Sequence, residues 1–485
     1  MEQIKIVEIL NDTNDTDIIR IKIQSDKDED KYIDTSLVNL LRRYIISNID
    51  TYTFLYINKE NNSKYLKPIQ IEEGNINNIN NDMLGHRISL LPINISTLQI
   101  LVLYYRFINK NDINNFEITQ DILDELKFYI QTQVETDEQV EDDYISITEE
   151  HIQNDLFKSL KTDTNFINHF KTNLFDEFKK IYYIDIDEID DYIINLKLFN
   201  PFIYENEDYY NIITKIKKKT QKINISMYLR KNSVITDKDT EQNIRYSPVA
   251  ACRSTFAIDY NKVLIEFKNK FNSNLNIDFN QYNQLYNNDD LYLLDNIPDT
   301  NIQDINNFKS FCIEEGERYF KGVNNQNERI HILEYQSIDF YNTKTILKLA
   351  LESLNIQNKY NNIHILYKIG EDLSNIQELP NTNNLNKYLI QYSNKLENSI
   401  DILIKDGDHG IGYLIQTYIN FIDKDKNFNI INYIGYKMVH PLSTELLITI
   451  QYKKDNLDYL ANISALFKTT YNYLDDLINQ LKMFN

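Results

Sequence analysis

The chain has 485 residues, 42% of them hydrophobic, and a formal charge of −21 from 51 basic and 72 acidic side chains. That length and apolar content predict a folded protein of roughly two to four domains rather than a disordered one, and the acidic balance argues against a main role in gripping DNA or RNA. Two cysteines, Cys252 and Cys312, exclude a disulfide framework and a cysteine-rich zinc site.

The opening "MEQIKIVEIL" has neither a basic start nor a long apolar run, so no secretory signal is expected, and no apolar stretch is long enough to predict a membrane span. The expectation is an intracellular protein. Its excess of Asn and Ile over Ala and Gly fits an AT-rich genome.

Residues 3–9 and 18–24 read as strands around the polar turn "NDTNDT". In "DTSLVNLLRRYIIS", Leu37, Leu40, Leu41, Tyr44 and Ile45 recur at helical spacing, with Asp34, Thr35 or Ser36 to cap the start. Arg42 and Arg43 are expected toward the helix end, where the dipole favours cations, on the side away from the apolar stripe. "MLGHRISLLPI" follows at 83–93. From about 97 to 225 the chain carries helical stretches and the acidic run "ETDEQVEDDYISITEE", ending near "KIKKKT"; this reads as an expansion within an older frame. "RYSPVAACRSTFAIDY" returns to strand-like residues, 265–330 reads as Asn-rich and irregular, and "RIHILEYQSIDFYNTKTILKLALESL" predicts a strand and a helix with Ile346, Leu349, Ala350 and Leu354 on one face.

Residues 356–396 read as a joint, with "LPNTNNLN" its clearest turn. In "SIDILIKD", Ile400, Ile402 and Ile404 alternate as in a half-buried strand. "DGDHGIGYLIQTYI" then places three of the chain's nine glycines beside Asp406, Asp408 and His409, and opens a helix striped by Ile411, Leu414, Ile415, Tyr418, Ile419 and Ile422. "NYIGYKMVHPLSTELLITIQY" reads as a hairpin with a proline in its connection. The final helix carries Leu460, Ile463, Phe467, Thr470, Leu474, Leu477, Leu481 and Phe484. The succession of strand, capped helix, hairpin and terminal helix thus occurs twice, as a duplication of architecture rather than of sequence. The two matched stripes, Leu37/Leu41/Tyr44 and Ile411/Ile415/Tyr418, each need a cover, and a helix-on-helix seam would supply it.

Asp406, Asp408, His409 and the later His440 have the donor types of a metal site, yet Asp408 as a helix cap explains the same residues more simply. "DKDKNFNIINYI" starts like a calcium loop with Asp423, Asp425 and Asn427, but Phe428 replaces the required glycine and Ile434 the glutamate. His86 and Arg87 have no local carboxylate or nucleophile and read as structural. The lysines of 215–219 read as the solvated end of a helix. The phosphate-loop, dinucleotide and nucleophile-elbow patterns do not occur.

The opening of the second helix and the hairpin together resemble subunit 11 of eukaryotic RNA polymerase II, the archaeal L subunit. Asp408, His409, Gly412 and Leu414 match that family's turn into a helix, and Gly435, Tyr436, His440, Pro441 and Leu442 match its later Gly-Tyr and His-Pro-Leu stretch. Gly410, Tyr413 and Val439 stand where Thr, Asn and Pro are usual. The first half is similar to subunit 3, archaeal D, and more distantly to the amino-terminal domain of bacterial α. "LVNLLRRYIISNIDTYTF" resembles its arginine-pair helix, "MLGHRISLLPI" its Ala-His-Arg signature with Ser89 for glycine, and "RYSPVAACRSTF" its strand around Pro248 with Tyr246 for Trp.

The resemblance implies an α+β fold of two α-like dimerisation lobes paired within one chain, the first interrupted by an enlarged insert domain. The implied divisions are a subunit 3-like lobe at 1–50 and 265–355, an insert domain at 51–264, a linker at 356–396 and a subunit 11-like lobe at 397–485. It implies a non-catalytic platform for the two largest polymerase subunits, the second-largest foremost through Arg42 and Arg43, with subunits 10 and 12 docking as well. No zinc or other cofactor, no sequence-specific nucleic-acid contact and no membrane are implied; the family's cysteine-rich zinc loop has no counterpart. Fused subunits of this kind occur in large cytoplasmic DNA viruses, which implies a viral factory and virion, or otherwise the nucleus. Two other readings stay open on the residues alone: a metal-dependent hydrolase built on Asp406, Asp408, His409 and His440, and a free-standing acidic adaptor.

Overall fold

A computed structural model gives the fold. It describes residues 7–13, 18–25, 32–49, 51–56, 69–71, 79–131, 144–182, 189–204, 207–217, 223–232, 246–282, 285–286, 288–295, 302–322, 329–338, 343–354, 388–392, 398–404, 408–438, 440, 446–453 and 459–482. These form a mixed α+β protein of two compact units, one comprising Met1–Tyr44, Cys252–Tyr335 and Ala350–Asn485, the other Ile45–Ala251 and Gln336–Leu349.

The first unit opens with an antiparallel hairpin of β1 (Val7–Thr13) and β2 (Ile18–Ile23). β1 lies later than the expected 3–9 and takes up the first half of "NDTNDT", with a bulge between Ile9 and Asn11. Along β2 the isoleucines Ile19, Ile21 and Ile23 point inward. Asp34 caps α1 (Thr35–Ser47), its Oδ2 accepting the Ser36 N–H at 2.7 Å. Leu37, Leu40, Leu41, Tyr44 and Ile45 are all buried, as their spacing predicts. α1 continues to Ser47, so Arg42 and Arg43 stand inside the helix, outside its last turn, and the expected dipole argument does not apply to them.

In the second unit, β10 (Asn224–Asn232) pairs antiparallel with β3 (Thr51–Phe54), β4 (Gln70–Ile71) and β5 (Lys127–Gln131). Helix α2 (Asn81–Ser89) carries the "MLGHRIS" residues, and α3 (Ile95–Ile108) is buried continuously from Ile95 to Tyr104, with Ser96, Thr97 and Gln99 buried among its apolar residues. Short helices follow: α4 (Gln120–Leu123), α5 (Asp155–Leu160), α6 (Thr164–His169), α7 (Phe175–Tyr182) and α8 (Ile189–Ile194). A π-turn at Phe170–Leu174 joins α6 to α7 and keeps Phe166, Phe170 and Phe178 in one aromatic core. β6 (Tyr144–Thr148) pairs with β9 (Ile212–Lys217), and β7 (Phe202–Tyr204) with β8 (Glu207–Tyr209). Lys215 and Lys217 therefore end a strand, not the expected helix: Ile213 and Ile216 turn inward beside a paired backbone. Lys218, Lys219 and most of the acidic run lie outside the described residues.

Two further strands, β11 (Val249–Phe256) and β12 (His331–Ser337), complete a four-stranded sheet in the order β1-β2-β12-β11. Between them lie α9 (Tyr260–Phe271) and α10 (Ile302–Glu315), where an irregular segment was expected. Asn-rich spacing hid two amphipathic stripes: Val263, Leu264 and Phe267 share one buried cluster with Ile305, Phe308, Phe311 and Cys312. α11 (Thr343–Ser353) follows; Ile346, Ala350 and Leu354 are buried as expected, while Leu349 is half-buried and Leu347 and Leu351 fill the face instead.

Most of the expected joint at 356–396, with its turn, lies outside the described residues. Within it, β13 (Tyr388–Tyr392) is a strand that pairs with β14 (Ser399–Ile404). α12 (His409–Asp425), β15 (Ile431–Met438), β16 (Leu446–Tyr452) and α13 (Tyr459–Lys482) complete the chain. The strands form a fully antiparallel sheet in the order β13-β14-β16-β15. Both sheets thus have the same internal order, first-second-fourth-third, with one helix after the second strand and one after the fourth. The expected stripe on α12 is buried throughout; on α13, Phe467, Thr470, Leu474, Leu477 and Leu481 are buried together with Leu466, Tyr471 and Ile478. Among the described residues no helix is long and apolar enough to cross a membrane.

Candidate functional site

The glycine-rich stretch is a helix start. Asp408, in extended conformation, accepts the Ile411 N–H on Oδ1 at 2.8 Å and so satisfies one of the free donors that open α12. His409 is the first helical residue and is exposed. Gly412 has a packing reason: a Cβ there would stand 2.5 Å from Cδ2 of Tyr436 and 2.8 Å from Cδ1 of Leu446, so only glycine lets that ring lie on the helix. Asp406 and Pro441 lie outside the described residues; His440 is exposed in the connection after β15.

The segment entering α1 is clasped by the carboxy-terminal helices. The Tyr32 ring stacks on Phe421 at 4.7 Å between centroids, lies 6.2 Å from Tyr418, and Tyr473 closes the box 5.8 Å from Phe421. The buried Tyr418 hydroxyl donates to the Tyr32 carbonyl at 3.1 Å and accepts the Asp34 N–H at 3.2 Å. The Tyr473 hydroxyl takes the Tyr32 N–H. Burial, above all, pushes the Tyr418 phenol well up, so it remains a donor. A turn further along α1, the helices come close: a Cβ on Gly410 would meet Leu40 Cδ1 at 2.5 Å and lie 3.6 Å from Arg43 Nη1. Leu37, Leu41 and Tyr44 are buried, as are Ile411, Ile415 and Tyr418. Tyr32, Phe421 and Tyr473 were not singled out from the sequence. The available signal was the apolar pair Tyr32-Ile33 directly before a capping aspartate.

Arg42 is half-buried, its Nε donating to Asn39 Oδ1 at 3.0 Å, and Arg43 is exposed at the edge of this seam. Beside it a pocket of about 420 Å³ opens between the start of α12 and the end of β15, lined by His409, Tyr436, Lys437 and Met438. The His409 and Tyr436 rings meet edge to face at 6.0 Å. The Tyr436 phenol is pushed up, first by burial and then by Tyr413 and Asp408, while the Arg43 guanidinium pulls it down. Tyr413, on the next turn of α12, is 49% exposed.

The remaining motif residues belong to the second unit. His86 sits on α2 with its ring 5.2 Å from that of Tyr56, and Arg87 Nη1 donates to the Ile213 carbonyl at 3.1 Å. Ser89 is buried and returns its hydroxyl to the His86 carbonyl at 2.8 Å. Tyr56 donates to Asp82, and burial together with that carboxylate pushes its phenol up to about 12. Tyr246 buries its hydroxyl where it accepts the Ile93 N–H at 3.2 Å, and Pro248 is buried with its carbonyl accepting from Ile338. These are structural bonds, each tying one part of the unit to another.

Among the described residues, no three His, Cys, Asp or Glu side chains are placed to hold a metal ion. Asp423, first residue of the calcium-like stretch, is buried, and its two oxygens accept the N–H groups of Ile430 at 2.9 Å and Ile431 at 3.3 Å. Asn427 and Asn429 take left-handed backbone in the same turn, the conformation Asn tolerates best after Gly. Cys312 is buried in the α9–α10 core, and burial pushes its thiol up to about 12. Cys252 is pushed up to about 12 by burial as well, with Arg42 pulling it back. Neither a family model nor a curated protein matches the sequence.

Proposed function

We propose that the chain is a non-catalytic assembly platform of a multisubunit DNA-directed RNA polymerase, combining the roles of subunits 3 and 11 in one polypeptide. The observation that carries this reading is the repeated sheet order with its two helices, joined by a seam in which Asp34-capped α1 meets Asp408-capped α12. Of the motifs of resemblance, the arginine pair falls on α1, the turn at Asp408 on α12 and Gly435-Tyr436 on β15, whereas His86-Arg87 lies on α2 in the other unit. A pair of α-like lobes is what such a platform needs: paired, they leave outward faces for larger subunits. Carriage on one chain gives the lobes an effective concentration of order mM for a connection of suitable reach.

On this reading the chain contributes no catalytic group, and its partners are the two largest polymerase subunits together with subunit 10- and 12-like small subunits. Arg42 and Arg43 are the docking cations for the second-largest subunit; a guanidinium suits bidentate pairing with carboxylates or carbonyls. The test is native purification of the tagged chain with a mass-spectrometric inventory of what accompanies it. Stoichiometric large polymerase subunits are expected, with no RNA synthesis by the purified chain alone. The Arg42→Ala/Arg43→Ala variant should fold and lose the second-largest subunit. Purification at native abundance without any polymerase subunit would refute the reading.

A further inference from the structure

We propose that Asp289 and Asp290 form an ionic latch that closes the α9–α10 region over the outer face of the first sheet, so that this face opens as ionic strength rises. The latch is a conformational device inside the first unit, and it does not depend on which partners the chain has.

The closure starts from the alternation of the strands. Ile19, Ile21 and Ile23 of β2 are buried on one face, so Arg20 stands on the other, outer one. The next strands in the sheet, β12 and β11, place Glu334 and Arg253 beside it. Arg20 Nε donates to Glu334 Oε2 at 2.7 Å, and Arg253 Nε donates to Glu334 Oε1 at 3.0 Å, a row of three charges across three strands. Both guanidinium groups also reach off the sheet. Arg20 Nη1 pairs with Asp290 Oδ1 at 2.6 Å, and Arg253 Nη2 pairs with Asp289. The other oxygen of Asp290 accepts the Tyr286 N–H at 2.9 Å, and the Tyr286 carbonyl accepts the Ile258 N–H at 2.8 Å. The latch thus fixes Tyr286, whose side chain packs on Ala257, Ile330 and Ile332. Ala257 and Ile332 are fully buried beneath this closure.

What the latch holds has a core of its own. The buried residues of α9 and α10 form one cluster that runs from Ile258 to Cys312, and Ala257, Ile330 and Ile332 form another. A backbone neck joins the two, in which the Asp259 N–H bonds the Tyr319 carbonyl and the Lys321 N–H bonds the Ala257 carbonyl, both at 2.7 Å. A region with its own core, attached by a neck, can part from the sheet face without unfolding.

Burial differs along the latch, and that sets its response to salt. Burial acts against the Arg20 charge, but the bonds to Glu334 and Asp290 outweigh it and hold the guanidinium above its ordinary pKa. Asp290 is 4% exposed, so this arm is shielded from ions. The side chains of Arg253 and Asp289 are 47% and 50% exposed, so ions reach that arm first. The screening length falls from about 10 Å at 0.1 M salt to about 3 Å at 1 M. Glu334 ties the arms together through its two oxygens, and loosening of the exposed arm is felt at the shielded one.

The experiment is hydrogen exchange of the full chain at about 0.05 M and about 0.5 M sodium chloride, resolved to the amides of Ile258 and Tyr286. In the wild type both should exchange about threefold faster or more at the higher salt, the range that exposed ion pairs support, while the amides of β16 stay within a factor of about two. Asp289→Asn/Asp290→Asn keeps an acceptor for the Tyr286 N–H and removes both charges. It should exchange about tenfold faster than wild type at both amides in low salt, and should lose the salt dependence. Arg253→Gln changes only the half-exposed arm and should give about a threefold acceleration in low salt with a weaker salt response. Wild-type exchange at Ile258 and Tyr286 that ignores salt would overturn the latch. So would an acceleration shared equally by β16, or an Arg253→Gln chain that exchanges and responds to salt like the wild type.

Discussion

Replacing Tyr418 by Phe isolates the polar part of the seam, because the ring and its apolar burial stay while the hydroxyl goes. That hydroxyl bridges the Tyr32 carbonyl and the Asp34 N–H at 3.1 and 3.2 Å, and the side chain is fully buried. The carbonyl keeps a partner, since the Tyr473 hydroxyl also reaches it at 3.4 Å. The amide loses its hydroxyl acceptor. A net internal hydrogen bond is worth about 1 kcal/mol and an orphaned donor costs about 1–3 kcal/mol, so the change should weaken the clasp by about 2–4 kcal/mol, nearer the lower figure because the Asp34 amide is only partly buried. Hydrogen exchange of the full chain at neutral pH reads this locally. At the lower figure, exchange of the peptide covering Asp34 should accelerate roughly thirtyfold, since 1.4 kcal/mol is tenfold in an equilibrium. Tyr473→Phe should have a smaller effect on the same peptide. If Tyr418→Phe folds and leaves exchange of that peptide within a factor of about two of wild type, the hydroxyl does not bridge the two segments and the seam is misassigned.

Asp408→Ala should cost about 1 kcal/mol through loss of the cap, seen as faster exchange in the first turn of α12, with no change in metal content by elemental analysis. Gly412→Ala should destabilise by about 1–2 kcal/mol, because helix propensity favours Ala by about 1 kcal/mol but the new Cβ meets ring atoms of Tyr436 close to its own backbone; unchanged urea stability would show that the ring can move aside. His331 on β12 is buried, and burial foremost, with Arg329, pulls its pKa down to about 4 against the partial opposition of Asp34. The unfolded chain therefore binds a proton that the folded chain refuses between about pH 6.5 and 4, so stability falls as pH drops through that window by up to about 3 kcal/mol, and His331→Leu should flatten that part of the profile in pH-dependent urea melts.

Periodicity read the apolar scaffold well wherever the period was uninterrupted. The stripes of α1 and α12 and the alternation of Ile400, Ile402 and Ile404 are buried as their spacing requires. Asp408 acts as a cap because a carboxylate before a helix start has few other local uses. Failures came where local signals competed. Asparagines between the apolar positions of α9 and α10 read as loop, although tertiary burial of Phe267 and Phe308 decided for helix. Lys215 and Lys217 looked like a solvated helix end, because a strand with alternating lysines shares that composition. β13 was read as part of a joint; the sequence between it and its partner β14 carries no strong hairpin pair. The aromatic box around Tyr32 was invisible for another reason. Its members stand at positions 32, 418, 421 and 473, and no local pattern links residues that distant.

The seam and the pocket are geometrically coupled. Arg43 stands on α1, whereas His409, Tyr436, Lys437 and Met438 belong to α12 and β15. The guanidinium reaches the pocket's edge because Leu40, one helical turn earlier, packs onto Gly410, where any side chain would hold the helices apart. Tyr418 draws the start of α1 to the same helix from the other end. Under the assembly reading, presentation of Arg42 and Arg43 depends on α1 and α12 staying packed together. Tyr418→Phe, which loosens the start of α1, should then weaken partner recovery somewhat and speed exchange at Asp34, whereas Arg42→Ala/Arg43→Ala should weaken recovery while leaving exchange at Asp34 unchanged. On that reading the docking surface is complete only once the two helices are packed together.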